Sequence, residues 1–400
     1  MKEVKLADNI HYLGVNDRRT HLFENAWPLP YGVAYNSYLI NDEKVALIDT
    51  VEYGHMQDFL ERIDEILNGK TIDYLIINHM EPDHSGAIKQ IVNQYPDIQI
   101  VGNKKTFPML EGFFGIEQNH YEVAEGDTID LGTRKLNFHM MPMVHWPETM
   151  VTYESTTKTL FSADAFGSFG TLDGGIFDDE INLTFFEDEL RRYYSNIVGK
   201  YGNQVQKALA KLSGLEIKQI AATHGPIWRC HIDYILDKYQ KWSSYEPEEE
   251  GAVIVFGSMY GNTEKMADRI ARTLSENGIK NIRVYDASKT HASYIISDIW
   301  KYSGLIIGSA AYNGGIFPAV GSLIEKLKNM YIKNRTLGIF GSSSWGGGGY
   351  RSLEKWAEEL KLEPLGPKAE ARCAPNASDM ELCDQIATEV AQAIKKPNTK

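Results

Sequence analysis

The stretch TIDYLIINHMEPDHSG, residues 71–86, decides how the first half of this 400-residue chain is read. Its opening, TIDYLIINH, is a nearly unbroken apolar run of strand length, the pattern of a strand buried on both faces. At its end stand His79, Glu81, Asp83 and His84, with Pro82 and Gly86 shaping the turn. Side chains alternate in direction as a chain leaves a strand. His79, Glu81 and Asp83 are therefore expected around one spot, with His84 beside them. Such a density of ligand-type side chains points to a bound metal.

Outward from this motif, IHYLGV (10–15), VAYNSYLIN (33–41) and KVALIDT (44–50) read as strands. HMQDFLERIDEILNG (55–69) reads as a helix, with Phe59, Ile63, Ile66 and Leu67 near helical spacing and Gly69 as its stop. IQIVGN (98–103) and a block of β segments reaching residue 165 follow. Mixed strands, largely hairpin-connected, with a few helices predict two sheets covered by helices, an αββα sandwich. Three more ligand-type residues each follow a buried β segment: His145 after KLNFHMMPMV, Asp164 after KTLFSA and His224 after IKQIAAT. Loops at strand ends are where sheet proteins build their sites.

Imidazole and carboxylate without thiolate suit iron, manganese or zinc. The three cysteines, Cys230, Cys373 and Cys383, lack metal-ligand spacing. Three histidines with three carboxylates exceed what one tetrahedral zinc requires and fit two ions sharing a bridging carboxylate. Two divalent ions would also nearly balance Glu81, Asp83, Asp164 and one hydroxide.

A net charge of −13 makes nucleic acid and anionic membranes poor partners. Hydrophobic and charged fractions of 43% and 24% are those of globular protein. The N-terminal MKEVKLADNI has no apolar core of a leader, and no apolar run approaches membrane-span length. A cytoplasmic location is expected. Residues 243–250, polar and acidic with Pro247, read as a linker. Domains are therefore expected at 1–249 and 250–400.

The second half alternates regularly between strand and helix: AVIVFGS, TEKMADRIARTLSENG, NIRVYDA, GLIIGSAAY, VGSLIEKLKNM, TLGIFGSSS and SLEKWAEELKL. This pattern specifies a doubly wound parallel sheet. Between its first strand and helix lies Ser258-Met259-Tyr260-Gly261-Asn262-Thr263. Hydroxyls, turn N–H groups and a helix N-terminus there can hold an anion. With no GK[ST] and no GxGxxG, the loop is neither a triphosphate loop nor a dinucleotide fingerprint. Its neutral donors suit the phosphate of a mononucleotide. Two later strand ends carry Ser309, Ala310, Tyr312, Asn313, Gly314 and Gly315, and then Ser342, Trp345 and Gly346. Glycines admit a flat ring close to backbone, and Tyr312 and Trp345 can stack on an isoalloxazine.

The cluster HxExDH followed by His145, Asp164 and His224 resembles the metallo-β-lactamase-fold domain of flavodiiron proteins. The half from residue 250 resembles flavodoxin, the motif SMYGNT matching its phosphate loop. The resemblance spans nearly the whole chain. It implies a metallo-β-lactamase-like αββα sandwich joined to a flavodoxin-like domain, with FMN and two non-haem irons. Hydrolases of the first fold carry HxHxDH and bind zinc; here Glu81 replaces the second histidine, and a hard carboxylate favours iron. The resemblance further implies His79, Glu81 and His145 on one iron, Asp83 and His224 on the other and Asp164 between them. His84 is a ligand in some members and replaced by water in others.

By the same resemblance the expected activity is reduction of dioxygen to water, nitric oxide to nitrous oxide, or both. Members form head-to-tail dimers, in which the flavin of one chain lies near the irons of the other. A head-to-tail homodimer or a dimer of dimers is therefore expected. No CxxC pair follows the flavodoxin half, so electrons are expected from a separate donor such as rubredoxin. Trp27, Trp146, Tyr193 and Tyr194 are candidates to line the substrate pocket, with Tyr194 first as a proton donor. Two competing readings are a zinc hydrolase with a flavodoxin-like appendage and an electron shuttle on an inert scaffold.

Overall fold

The structure, a computed structural model, describes residues 4–396. The readings of the N-terminal segment and of the chain's end concern in part residues 1–3 and 397–400, which lie outside the described residues. The chain divides into two compact units between Gln240 and Lys241.

The first unit contains a seven-stranded and a five-stranded sheet. The larger runs Val4–Ala7, Ile10–Tyr12, Tyr38–Asn41, Val45–Ile48, Tyr74–Ile76, Gln99–Gly102 and His120–Glu122. The smaller runs Thr128–Asp130, Lys135–Met140, Met150–Glu154, Thr159–Phe161 and Gln219–Ala221. Ile40, Ile48, Ile76 and Val101 of the first share one core with Phe138, Met150, Phe161 and Ala221 of the second. The helix Met56–Leu67 buries Phe59, Ile63 and Leu67, one stripe at helical spacing. It stops at Asn68, in the left-handed region at φ 47, one residue before the expected Gly69.

Hairpins connect only part of this unit. From Val45–Ile48 to His120–Glu122 the strands are parallel, and parallel neighbours need crossovers, here supplied by helices Met56–Leu67, Ile88–Gln94 and Thr106–Phe114. This arrangement positions the site. In the smaller sheet Thr159–Phe161 and Gln219–Ala221 pair in parallel, and Met150–Glu154 is antiparallel to both Lys135–Met140 and Thr159–Phe161, so that those two run the same way. His145, Asp164 and His224 therefore all leave the same end of that sheet.

The second unit is a parallel sheet in the order Ile282–Asp286, Glu249–Gly257, Tyr302–Tyr312, Thr336–Ser343 and Pro364–Arg372, with Gly315–Ile316 added as an antiparallel pair. In chain order this is the 2-1-3-4-5 arrangement of flavodoxin-like folds. Met266, Ile270 and Leu274 of helix Asn262–Glu276 pack with Ile386, Val390 and Ile394 of helix Ala377–Lys395. Helix Ala292–Lys301, strand Pro364–Arg372 and helix Ala377–Lys395 escaped the sequence pattern. The strand holds two prolines and a glycine at a sheet edge, and the last helix buries Ala387, Ala391 and Cys383 beside its larger residues, which blurs the apolar periodicity. No helix among the described residues is long and apolar enough to cross a membrane.

Candidate metal centre and flavin cleft

The strand-end loops of the first unit bring seven ligand-type side chains into two groups. His79, Glu81, His145 and Asp164 form one, and Asp83, His84 and His224 the other; within each, the ligand atoms lie within 4.8 Å of one another. Glu81 Oε2 lies 3.2 Å from His79 Nε2 and 3.0 Å from His145 Nε2. Asp83 Oδ2 lies 3.2 Å from both His84 Nε2 and His224 Nε2. Asp164 reaches both groups, with Oδ2 3.0 Å from His145 Nε2 and Oδ1 2.9 Å from His84 Nε2.

The expectation that His79, Glu81 and Asp83 gather at one spot is corrected. Residues Pro82–Ser85 form a helical turn, with Pro82 at its first position. Helical rotation replaces strand alternation after Glu81, and Asp83 and His84 turn to the second group.

A cation fits this geometry. Both carboxylate oxygens of Asp83 are buried without a hydrogen bond among the described residues, and His84 Nε2 faces His224 Nε2 at 2.9 Å. Converging lone pairs of this kind require protons or metal between them. Burial opposes charge on His84 and His145, yet both are pushed up to about 9, His84 by Asp83 and Asp164 and His145 by Asp164 and Glu81. Burial would raise Asp164, but His84 and His79 hold it well below the carboxylate range.

Residues around the ligands fix their orientation. His79 Nδ1 donates to Glu148 Oε1 at 2.9 Å, and His224 Nδ1 to the carbonyl of Ala34 at 2.8 Å. Asp49 accepts from the backbone N–H of Asn78 at 2.8 Å and from its side chain at 3.0 Å, anchoring the strand end before His79. Neither Glu148 nor Asp49 was found from sequence, because each lies far along the chain from the residue it orients. Glu24, at the tip of the hairpin Leu22–Phe23/Trp27–Pro28, was also missed. The residue is exposed, but desolvation of its carboxyl tip, followed by the adjacent Glu81, pushes it up to about 8.

Among the aromatic candidates, the Trp146 ring stands edge-on to His79 at 5.3 Å between centroids. Trp27 Nε1 donates to Glu24 Oε2 at 2.8 Å. Tyr193, rather than the expected Tyr194, packs on His224, 5.3 Å between centroids, with a buried hydroxyl that has no hydrogen-bond partner among the described residues. The Tyr194 ring packs on Tyr239. The chain enters a π-helical turn at Tyr194–Val198, so helical phase near these two tyrosines was not readable from sequence spacing.

In the second unit an open cleft is lined by Ser258, Met259, Tyr260, Asn262, Thr263, Ala310, Asn313, Gly314, Ser342 and Trp345. Ala311, Ser343, Ser344, Gly347 and Cys373 line it too and were not anticipated. Cys373 follows the unread strand Pro364–Arg372, which explains its omission. The remaining expected residues shape the loops. Gly261, at φ 84, precedes helix Asn262–Glu276. Ser309 Oγ is buried and engaged with backbone, donating to the Ala310 carbonyl and accepting from Phe317 N–H. The Tyr312 ring stands edge-on to Phe317. Gly315 begins the antiparallel extension, and Gly346 sits at φ 64 in the tryptophan loop. Thr263 Oγ1 and Ser342 Oγ, 2.8 Å apart, tie the first and third loops together. The lining carries neutral donors and no lysine or arginine, and Trp345 and Tyr260 are 83% and 90% exposed, leaving their rings free to cover a flat ligand. These features fit FMN.

Residues 33–225 match the model of the ODP family beta lactamase, and residues 254–385 match that of flavodoxin. A β-lactamase-fold domain bearing paired metal-ligand groups, followed by a flavodoxin, defines a flavin-coupled metalloenzyme of the oxidoreductase class. The anaerobic nitric oxide reductase flavorubredoxin of Escherichia coli O1:K1 is 30% identical over 395 residues, 97% of this chain and 82% of that protein. The solved rubredoxin oxygen:oxidoreductase of the anaerobe Desulfovibrio gigas superposes with a TM-score of 0.94 at 30% identity, covering 98% of this chain and 99% of that one. A mutant of the flavo di-iron protein of Thermotoga maritima gives a TM-score of 0.91 at 26% identity, covering 98% of each chain. The chain belongs to the flavodiiron proteins, whose cofactors are FMN and a pair of non-haem irons.

Proposed function

We propose that this chain reduces dioxygen to water, nitric oxide to nitrous oxide, or both. When bound, the flavin supplies two electrons and the two irons one each, matching the four that dioxygen takes on its way to two waters and exceeding the two that join two nitric oxides into nitrous oxide and water. His79, Glu81 and His145 would hold one ion, Asp83, His84 and His224 the other, with Asp164 shared. Glu148 and the Ala34 carbonyl accept from Nδ1 of His79 and His224, which would leave each Nε2 free to bind an ion. The buried Tyr193 hydroxyl, on a ring packed against His224, would be placed to supply a proton to the substrate, and the Trp146 ring, edge-on to His79, would help keep bulk water from the site. The hydroxyls of Ser258 and Thr263 and the N-terminus of helix Asn262–Glu276 would bind the flavin phosphate. Ala310, Asn313 and Gly314 would approach the ring, with Trp345 stacked on it.

The observation that carries this reading is the pair of thiolate-free ligand groups joined by Asp164. The names of the two 30%-identical relatives, a nitric oxide reductase and an oxygen oxidoreductase, support the substrates and a rubredoxin-type electron donor. A separate rubredoxin as donor, a head-to-tail homodimer and a cytoplasmic location complete the proposal. For the last, the free state of all three cysteines is the support. The test is to count metals in the purified protein, reduce it without oxygen, and add dioxygen or nitric oxide in separate runs. Two irons per chain and turnover of either gas are expected. Two zincs per chain with no reoxidation of the flavin by either gas would return the hydrolase reading to favour.

A further inference from the structure

The imidazoles of the two ligand groups are not backed alike. His79 donates through Nδ1 to a carboxylate, Glu148 Oε1, at 2.9 Å. The same oxygen accepts the backbone N–H of Met80 at 2.9 Å, and Glu148 is 1% exposed with its other oxygen lacking a hydrogen bond among the described residues. Asn103 Nδ2 donates to the Glu148 carbonyl at 2.5 Å, so the residue is held at both ends. In the second group, His224 Nδ1 donates to an uncharged carbonyl, Ala34 O, at 2.8 Å. His84 Nδ1 is buried with no hydrogen-bond partner among the described residues.

A carboxylate behind an imidazole pulls its proton away from the ring and makes the opposite nitrogen a stronger electron donor; a carbonyl does so less, and no partner does so least. A stronger donor binds a cation more tightly and favours its higher charge state. We infer that Glu148 is a positioning residue that makes the two metal positions unequal, the ion on the His79 side being held more tightly and oxidised more readily than the ion on the His84–His224 side. The inference rests on the two-iron reading above and extends it. It gives the ion backed by neutral partners the role of the one that loosens its protein ligands first. The asymmetry resides in the protein and exists before any substrate binds.

Glu148→Gln tests this with little change of shape. The glutamine Oε1 can still accept from His79 Nδ1 and Met80 N–H, so both hydrogen bonds survive while the negative charge is removed. Iron release from the purified holoprotein into excess ferrous chelator after reduction is followed by absorbance. One of the two irons per chain is expected to leave about 10- to 100-fold faster than in the parent, the other at an unchanged rate. An electron-paramagnetic-resonance redox titration should show one iron becoming easier to reduce. Parent-like release of both irons, or equal acceleration of both, overturns the inference. Glu148→Asp keeps the charge but draws it back, and should retain iron better than the glutamine variant; the reverse order also overturns it. A parent protein that binds no iron pair would instead refute the two-iron reading itself, so the two failures are told apart by the parent's metal content.

Discussion

Replacing Gly348 with alanine tests whether the flavin cleft is set by backbone contact between two loops. Gly348 sits at φ 123, ψ −36, a conformation outside those of L-residues. A Cβ there would lie 2.1 Å from the Gly314 carbonyl oxygen, 2.5 Å from its carbon and 2.9 Å from Gly315 N. No side chain can move aside, so the loops must part by roughly 1 Å or more to reach van der Waals distance. The substituted backbone adds strain of about 1–3 kcal/mol. The free protein can relax by opening the loops, whereas a bound flavin must close them. The penalty therefore falls on binding and corresponds to roughly 5- to 150-fold weaker affinity. Gly346→Ala is the control: it too has positive φ, at 64, but nothing lies within 4 Å of its Cβ, and its strain is the same with and without flavin. Titrating FMN with apoprotein and following flavin fluorescence separates the two. Parent-like affinity in Gly348→Ala, or an equal loss in Gly346→Ala, would refute the reasoning.

Other outcomes follow from residues away from that cleft. Tyr193→Phe should lower turnover at least about tenfold by removing a proton donor, whereas Tyr194→Phe, packed on Tyr239, should leave it near the parent's in steady-state gas consumption. Cys230 and Cys373 are exposed, while Cys383 is buried and its thiol pushed up to about 12 by burial. Mass spectrometry after alkylation should find the first two modified in the folded protein, Cys373 shielded when FMN is bound, and Cys383 modified only on unfolding. Burial would raise Asp17, but bonds from Thr20 and the Arg19 N–H hold its carboxyl below the usual range. A depressed folded value gives stability that is present above the unfolded value near 4 and lost as pH falls through the folded one. In urea titrations Asp17→Asn should therefore cost stability at neutral pH and flatten its decline below about pH 4.

The chain's order determined the two-part architecture, the parallel sheet of the second unit and the seven ligand-type residues. Each of those signals is local: a buried strand must be apolar, and a ligand or phosphate-binding loop must follow it directly. HMEPDH and SMYGNT are dense enough to be read where they stand. Tertiary structure alone decided how those residues divide. A single helical turn begun at Pro82 separates Asp83 and His84 from His79 and Glu81, and strand alternation gives no hint of it. Glu148 meets His79 across 69 residues, and the Ala34 carbonyl meets His224 across 190. Such partners are joined by sheet packing, and a backbone carbonyl leaves no mark in the sequence at all. Which of Tyr193 and Tyr194 faces the centre was equally hidden, since neighbouring helical residues point in different directions and only the surrounding core selects one.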